Sequence, residues 1–483
     1  MRKGLELGDF QTPPDLTDRI CKLLSCREFE PQILIEPTCG TGNFVFSALK
    51  HFPSIKWVYC VELQEKYRDI FFQKVKEANI PSSTKIEFHV DNIFTHRFSE
   101  ELKSLLKDSN SQILILGNPP WVTNSEIARA GGTNVPEKSN IKKLNGIEAL
   151  TGKSNFDIAE YIIVRLLQEF GSFNGKIAML CKQSTAINII KYLHRFKLRI
   201  SRPQFFLIDS KKEFGISVSS GLFVADLGKK GDKICEIRSL YDGKLIRRFG
   251  WLDSKFVSDF DLYGKYNFLE GKFPYEWRQG VKHDASKILV LEKTADGFLN
   301  GYGEKVEVEE EVLYPFIKGS RLREHEVFET NHYIILTQRH PEDDTDTLVR
   351  YPKLWNYLKT HAEALDRRRS RVFKKRFSIF GIGDYAFRPY KVAISGFYKD
   401  PIFSLIHPID GKPAIPDDTV YYVSFDSYET AYKLWKWLNS EDIKNFLKSI
   451  AFLDSKRPFT KEILNRIRAP EQLLDVPFQM ELL

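Results

Sequence analysis

Asn118, Pro119, Pro120 and Trp121 stand directly after the run Ile113-Leu114-Ile115-Leu116-Gly117, and their types fit one kind of chemistry. An Asn side-chain oxygen and a proline carbonyl are hydrogen-bond acceptors, and an indole is a flat apolar surface. Together they suit a planar aromatic amine such as adenine, the acceptors holding its two N–H groups while its face stacks on the ring. Residues 113–116 read as a short buried strand, and neither proline can extend it because neither donates a ladder hydrogen bond. The chain must turn out at the strand's end and present the Asn118 side chain, the Pro119 carbonyl and the Trp121 ring together. A proline-rich turn with Trp121 as a core anchor would account for the same residues.

The elements that would position such a turn precede it. Residues 32–36 read as a strand, followed by Pro37, Gly40, Gly42 and Phe44 and then a helix. The two glycines permit a tight turn and a close ligand approach, but the third glycine of the dinucleotide fingerprint is absent, which argues against a nicotinamide or flavin cofactor. A second strand over residues 57–61 ends in Glu62, an acid about 20 residues past the glycines and placed to hold ribose hydroxyls. A third over 85–90 ends in Asp91-Asn92-Ile93. Each carboxylate alone could be a solvated strand end. All four strands nevertheless end in a polar or glycine element, and an open parallel sheet binds ligands at the carboxyl ends of its strands. Upstream, Thr12 and Pro13 open a helix as cap and first residue.

Residues 125–154 show little periodicity and many glycines, asparagines and lysines, which predicts a flap, with a plain linker as the alternative. A helix over 156–170, a strand over 176–181, a helix over 185–198 and strands over 204–209 and 220–227 complete the first half, with Phe214-Gly215 as a turn. The composition breaks at 228–232, so the domains are expected to be 1–228 and 229–483. The second half alternates strand and helix signals in an α+β manner. It carries Trp277, Arg278 and Lys282, then seven basic residues in the ten from 367 to 376 (Arg367, Arg368, Arg369, Arg371, Lys374, Lys375 and Arg376), then Arg388 and Lys391. A charge run is usually a solvated face; one interleaved with aromatics and glycine turns is a candidate for phosphate contacts.

With 483 residues, 42% hydrophobic and 28% charged, the chain has the makings of two or three domains with real cores. No apolar run approaches the roughly 20 residues of a membrane helix, and no signal peptide is visible, so the expected location is the cytoplasm. The six cysteines lack metal-ligand or redox spacing, which predicts reduced thiols and no metal. A net charge of +8 permits a polyanionic partner without demanding one.

Phe10-x-Thr12-Pro13, then Glu36-Pro37-x-x-Gly40-x-Gly42-x-Phe44, then Asn118-Pro119-Pro120-Trp121, then a long basic segment: this order resembles the gamma arrangement of DNA adenine-N6 methyltransferases from restriction–modification systems. The resemblance is fullest over residues 8–125 and thins beyond 228. It implies an α/β fold, a Rossmann-like S-adenosylmethionine-dependent methyltransferase sheet with helices on both faces, plus a C-terminal α+β DNA-recognition domain. Phe10, Thr12 and Pro13 would help hold the methionine end of S-adenosylmethionine. Asp91, beside Asn92, would accept from the cofactor's adenine amino group, and Ile93 would cover its ring. Trp121 stands where Tyr or Phe is more frequent, and Phe214 is the candidate for a second stacking face, although an ordinary packed Phe would also explain it. Double-stranded DNA is the implied partner, with the flap of residues 125–154 near it, and a cognate restriction endonuclease is the functional counterpart, with no metal and no membrane. Cytosine-N4 methylation, an RNA or protein-glutamine N-methyltransferase, and a binder of S-adenosylmethionine without turnover are the alternatives.

Overall fold

The computed structural model describes residues 11–26, 28–108, 111–122, 157–193, 198–229, 231–323, 325–368, 370, 372–373 and 375–470. The expected flap and Phe10 lie outside them. Two compact units divide the chain, Met1–Phe260 and Asp261–Leu483.

The first unit is built on β1 (Ile33–Glu36), β2 (Trp57–Glu62), β3 (Lys85–Val90), β4 (Ile113–Gly117), β5 (Gly175–Lys182), β6 (Ser201–Ile208), β7 (Ser220–Leu227), β8 (Ile234–Ser239), β9 (Leu245–Leu252) and β10 (Lys255–Val257). They form one ten-stranded sheet in the order β10-β9-β8-β6-β7-β5-β4-β1-β2-β3. From β3 through β5 neighbours run parallel, and β7 enters antiparallel between β5 and β6. Residues of β1, β2 and β4 are buried at every position, as strands covered on both faces must be. The covering helices are α1 (Pro14–Leu24), α2 (Asn43–His51), α3 (Lys66–Glu77), α4 (Glu100–Leu105), α5 (Ile158–Phe170), α6 (Gln183–Lys191) and α7 (Ser210–Phe214). The chain's direction across the sheet reverses between β1 and β4, which makes their carboxyl ends the switch point where open α/β sheets bind ligands.

Two expectations need correction. The unit extends past residue 228 because β8 pairs parallel with β6, and β9 and β10 follow as antiparallel neighbours, so the composition break is a turn within the sheet. Helix α1 starts at Pro14, with Pro13 in its cap position at φ −58°, ψ 142°. A residue before proline is pushed out of the helical region, so Thr12 is not the cap and its hydroxyl serves elsewhere.

The second unit is α+β. One sheet has the order β11 (Arg278–Gln279), β21 (Val420–Phe425), β18 (Tyr390–Ser395), β19 (Phe403–Ile406), β16 (Glu326–Val327). The other runs β14 (Lys305–Val306), β13 (Gly297–Leu299), β12 (Val290–Thr294), β17 (His332–Ile335), β15 (Leu313–Ile317), β20 (Ile415–Pro416). Leu291, Ile334, Leu354 and Ile415 are among the residues of one core, and Ile317, Ala393 and Tyr422 belong to a second. Among the described residues, no helix is long and apolar enough to cross a membrane.

His283 ties this unit's loops together. Its Nδ1 accepts from the Ala285 N–H at 3.1 Å, its carbonyl accepts from Arg368 at 3.2 Å, and its ring meets Phe316 edge-on. Burial pushes its pKa down to about 4, with Asp418 and Asp284 pulling the other way. The unfolded chain therefore takes up this proton first, at about 6.5, and stability present above that pH should be lost as pH falls toward 4. Thermal unfolding followed from pH 7 to 4.5 should show the decline, and His283→Gln should flatten it.

Candidate active site

The loop from Pro37 to Gly42 leaves β1 and enters α2 through two left-handed glycines, Gly40 at φ +54° and Gly42 at φ +77°. A Cβ on Gly42 would stand 2.5 Å from the Phe71 ring, and one on Gly40 would stand 2.6 Å from Gln11 Oε1. The loop is tied to β2, since the Gly40 N–H donates to Glu62 Oε2 at 2.7 Å and the Gln64 N–H to Glu62 Oε1 at 2.8 Å. These bonds fix the Glu62 carboxylate at the end of its strand. Glu36 lies under the loop, buried with Cys39 and Cys60, their candidate ligand atoms all within 4.8 Å of one another. Burial pushes the Glu36 carboxyl and both thiols upward, toward their neutral forms. In these neutral forms the trio makes a buried floor under the loop. Phe44 is buried on α2 directly behind the loop.

Thr12 joins this loop to the Asn-Pro-Pro turn. Its carbonyl accepts from Asn43 Nδ2 at 2.8 Å and its hydroxyl from Asn118 Nδ2 at 3.2 Å. Next to it, Gln11 Oε1 accepts from the Thr41 N–H at 3.1 Å. The bond to Thr12 uses the amide's nitrogen side and turns Oδ1, the acceptor, the other way. Asn118 is half-buried at the end of β4, with Pro119 buried and Pro120 half-buried behind it. The turn and the glycine loop thus occupy adjacent strand ends, linked through one threonine.

Trp121 is 7% exposed; its indole N–H donates to the Leu180 carbonyl of β5 at 3.3 Å. Its ring meets Phe214 at a centroid distance of 5.1 Å and an interplanar angle of 73°. The two aromatics singled out from the sequence are brought together, but edge to face. Phe214 ends α7, and the left-handed Gly215 caps it at φ +71°.

At the end of β3, Asp91 Oδ1 accepts from the Asn92 N–H at 2.7 Å, and Oδ2 lies 2.7 Å from His96 Nδ1. His96 Nε2 lies 2.9 Å from the Tyr59 hydroxyl. Burial holds the His96 pKa below its ordinary value, although the Asp91 carboxylate pulls it up. A neutral ring satisfies both neighbours when Nδ1–H donates to Asp91 and Nε2 accepts from Tyr59. The bonds to His96 and the Asn92 N–H outweigh burial and hold Asp91 below the usual carboxylate range. Asn92 Oδ1 also accepts from the Phe94 N–H at 3.0 Å, and Ile93 is buried beside it. Nothing in the sequence marks His96 or Tyr59 as partners of Asp91; a histidine five residues past a strand end carries no signal by itself.

In the second unit, three residues expected at DNA are interior or structural. Trp277 is fully buried and stacks on Phe273 at 5.0 Å. Lys391, inside β18, is also fully buried and donates to the Arg388 carbonyl at 2.6 Å, and burial pushes its pKa down to about 7. Arg368 donates to the carbonyls of Leu365, Ser378 and Arg376 at 2.9, 2.7 and 2.6 Å as well as to His283, stapling the loop that holds the basic run. The others meet acids or rings: Arg278 pairs with Glu276 over Tyr385, Lys282 with Asp284, Arg367 with Glu363, Lys375 with Asp344, Arg376 with Asp366 and Arg388 with Asp426. Arg369, Arg371 and Lys374 lie outside the described residues.

No family profile matches the chain. It is 39% identical over 470 residues, 96% of each protein, to the type II methyltransferase M.NspV of Nostoc sp.. It is 28% identical over 134 residues to the type II methyltransferase M.CvrRI of Paramecium bursaria Chlorella virus XZ-6E, 28% of this chain and 30% of that protein. Among solved structures, the type IIG restriction endonuclease BpuSI aligns over 95% of this chain and 58% of its own at 12% identity and a TM-score of 0.37. S-adenosylmethionine fits the residues present: glycines at which a Cβ would collide leave the loop open to close approach, and fixed carboxylates stand at the ends of β2 and β3. Given its 39% identity to M.NspV over nearly the whole of both proteins, the chain belongs to the type II DNA methyltransferases of restriction–modification systems, S-adenosylmethionine-dependent enzymes.

Proposed function

We propose that the protein methylates N6 of an adenine turned out of duplex DNA, with the first unit catalytic and the second reading the target. The observation that carries this reading is the Thr12 link, which holds Asn118 beside the cofactor loop with its amide oxygen turned away from that loop's own contacts. S-adenosylmethionine supplies the electrophilic methyl group. Thr12 and Pro13 would hold its methionine end, Gly40 and Gly42 would let the backbone approach it closely, Glu62 would take its ribose hydroxyls, and Asp91 with Ile93 would take its adenine.

The lone pair of adenine N6 is delocalised into its ring, so the amine is a poor nucleophile. Asn118 Oδ1 and the Pro119 carbonyl accept its two hydrogens and favour a pyramidal nitrogen whose lone pair faces the methyl group. Alignment and preorganised acceptors supply most of the acceleration. The base edge is closed inside a duplex, so the adenine must leave the stack. A base stacked on both sides separates its flanking rings by roughly 7 Å, two contact layers of about 3.5 Å each. Trp121 and Phe214 stand closer than that and meet edge to face, so the two rings would have to part to admit a base between them.

Nucleoside mass spectrometry of duplex DNA incubated with the protein and S-adenosylmethionine should find N6-methyladenine; N4-methylcytosine as the sole product would refute the base assignment. Within the same reading, His96→Leu removes the donor that orients Asp91. Calorimetry should show S-adenosylmethionine affinity about tenfold weaker, the value of one hydrogen bond to a charged group, with turnover at saturating cofactor little changed.

A further inference from the structure

We propose that a pocket in the second unit holds one backbone phosphate of the bound duplex through Lys287, Lys318 and His332. The inference rests on DNA as the substrate and locates a contact that the basic run was expected to make. The cavity, about 230 Å³, lies on the sheet that carries β12, β13, β15 and β17, and its lining also includes Ser286, Glu292 and the buried Asn300. Its volume is below the roughly 300–1,000 Å³ of sites for drug-sized molecules. That leaves room for a phosphoryl group with part of its sugar.

The basic side chains of the pocket differ from the described ones of residues 367–376. There, Arg367, Lys375 and Arg376 meet carboxylates and Arg368 meets carbonyls. None of Lys287, Lys318 and His332 is paired with a carboxylate among the described residues. Lys287 lies 5.3 Å over the Tyr302 ring, which steadies the ammonium without neutralising it. The one acid of the lining, Glu292, accepts from Asn331 Nδ2 at 3.4 Å, and Asn331 Oδ1 lies 2.7 Å from His332 Nδ1. An amide oxygen can only accept, so Nδ1 carries the hydrogen and Nε2 is the atom able to gain charge. Burial, with Lys318 and Arg321 nearby, holds the His332 pKa below its ordinary value, against the pull of Glu292. The local field is positive, which favours an anion, and a phosphate contact would position the duplex whatever its sequence.

The test compares wild type with the Lys287→Met/Lys318→Met double variant, which keeps the aliphatic stems, and with Arg367→Met. Binding to a duplex that the wild type methylates is followed by fluorescence anisotropy across a salt series. Loss of one phosphate contact lowers the slope of log K against log salt by about 0.9. The double variant should show that drop, with Arg367→Met unchanged and the circular dichroism spectra alike. An unaltered slope in the double variant overturns the pocket, as does stabilisation of the wild type by inorganic phosphate without any change in DNA binding. Wild type that neither binds nor methylates duplex DNA would instead refute the substrate reading.

Discussion

Asn118→Ala should cut methyl transfer at saturating S-adenosylmethionine and DNA by about 10²–10³-fold, the effect of removing one preorganised partner of the developing charge. Cofactor affinity should change far less. The amide's contact with the cofactor loop runs through Thr12, which keeps its other bond, to Asn43. Stability should fall by about 1 kcal/mol or less, since Asn118 is half-buried and loses a neutral hydrogen bond. Asn118→Asp is the sharper comparison. It restores an acceptor, and the Thr12 hydroxyl can reverse its role and donate, so part of the activity should return. Single-turnover kinetics read both effects, and an Asn118→Ala protein that methylates as fast as wild type would remove the catalytic assignment.

Gly42→Ala should weaken S-adenosylmethionine binding by about 10- to 100-fold, more than Gly40→Ala. Both positions are left-handed, which costs an alanine about 1–2 kcal/mol. They differ in what the new methyl group meets. At Gly40 it meets the far end of the Gln11 side chain, which can move. At Gly42 it meets Phe71, fully buried and packed against Phe46, Phe72 and Phe88 at 5.6, 5.5 and 4.9 Å. That ring cannot yield without disturbing its neighbours, so the backbone of the loop must. Calorimetric titration of both variants tests the order, and equal losses would show that dihedral strain alone governs the loop.

The cofactor half of the site was legible because its signals are local. A parallel strand buried on both faces is a continuous apolar run, so the strand ends that carry Gly40, Glu62 and Asn118 can be located by reading along the chain, whereas β3, at the sheet edge, alternates polar and apolar residues before Asp91. Thr12 was legible as a motif residue, but its bond to Asn118 spans the unit and only the fold reveals it. The basic half misled for the same reason reversed. Arg368 and Lys391 look available because sequence shows their charge and not the carbonyls that take it up. Trp277 beside an arginine reads as a stacking surface, yet it is core. The acids that meet Lys375 and Arg376 come from Asp344 and Asp366, outside the run.

The three strands that follow residue 228 bear on how the first unit could be isolated. A fragment ending there would strip β8 from β6 and leave a row of bare amides and carbonyls, a template on which a second molecule can lay its own strand. It would also lose Trp251, whose indole N–H donates to the Ile190 carbonyl at 3.1 Å. Such a fragment should therefore precipitate, whereas one carried through Phe260 keeps that border capped.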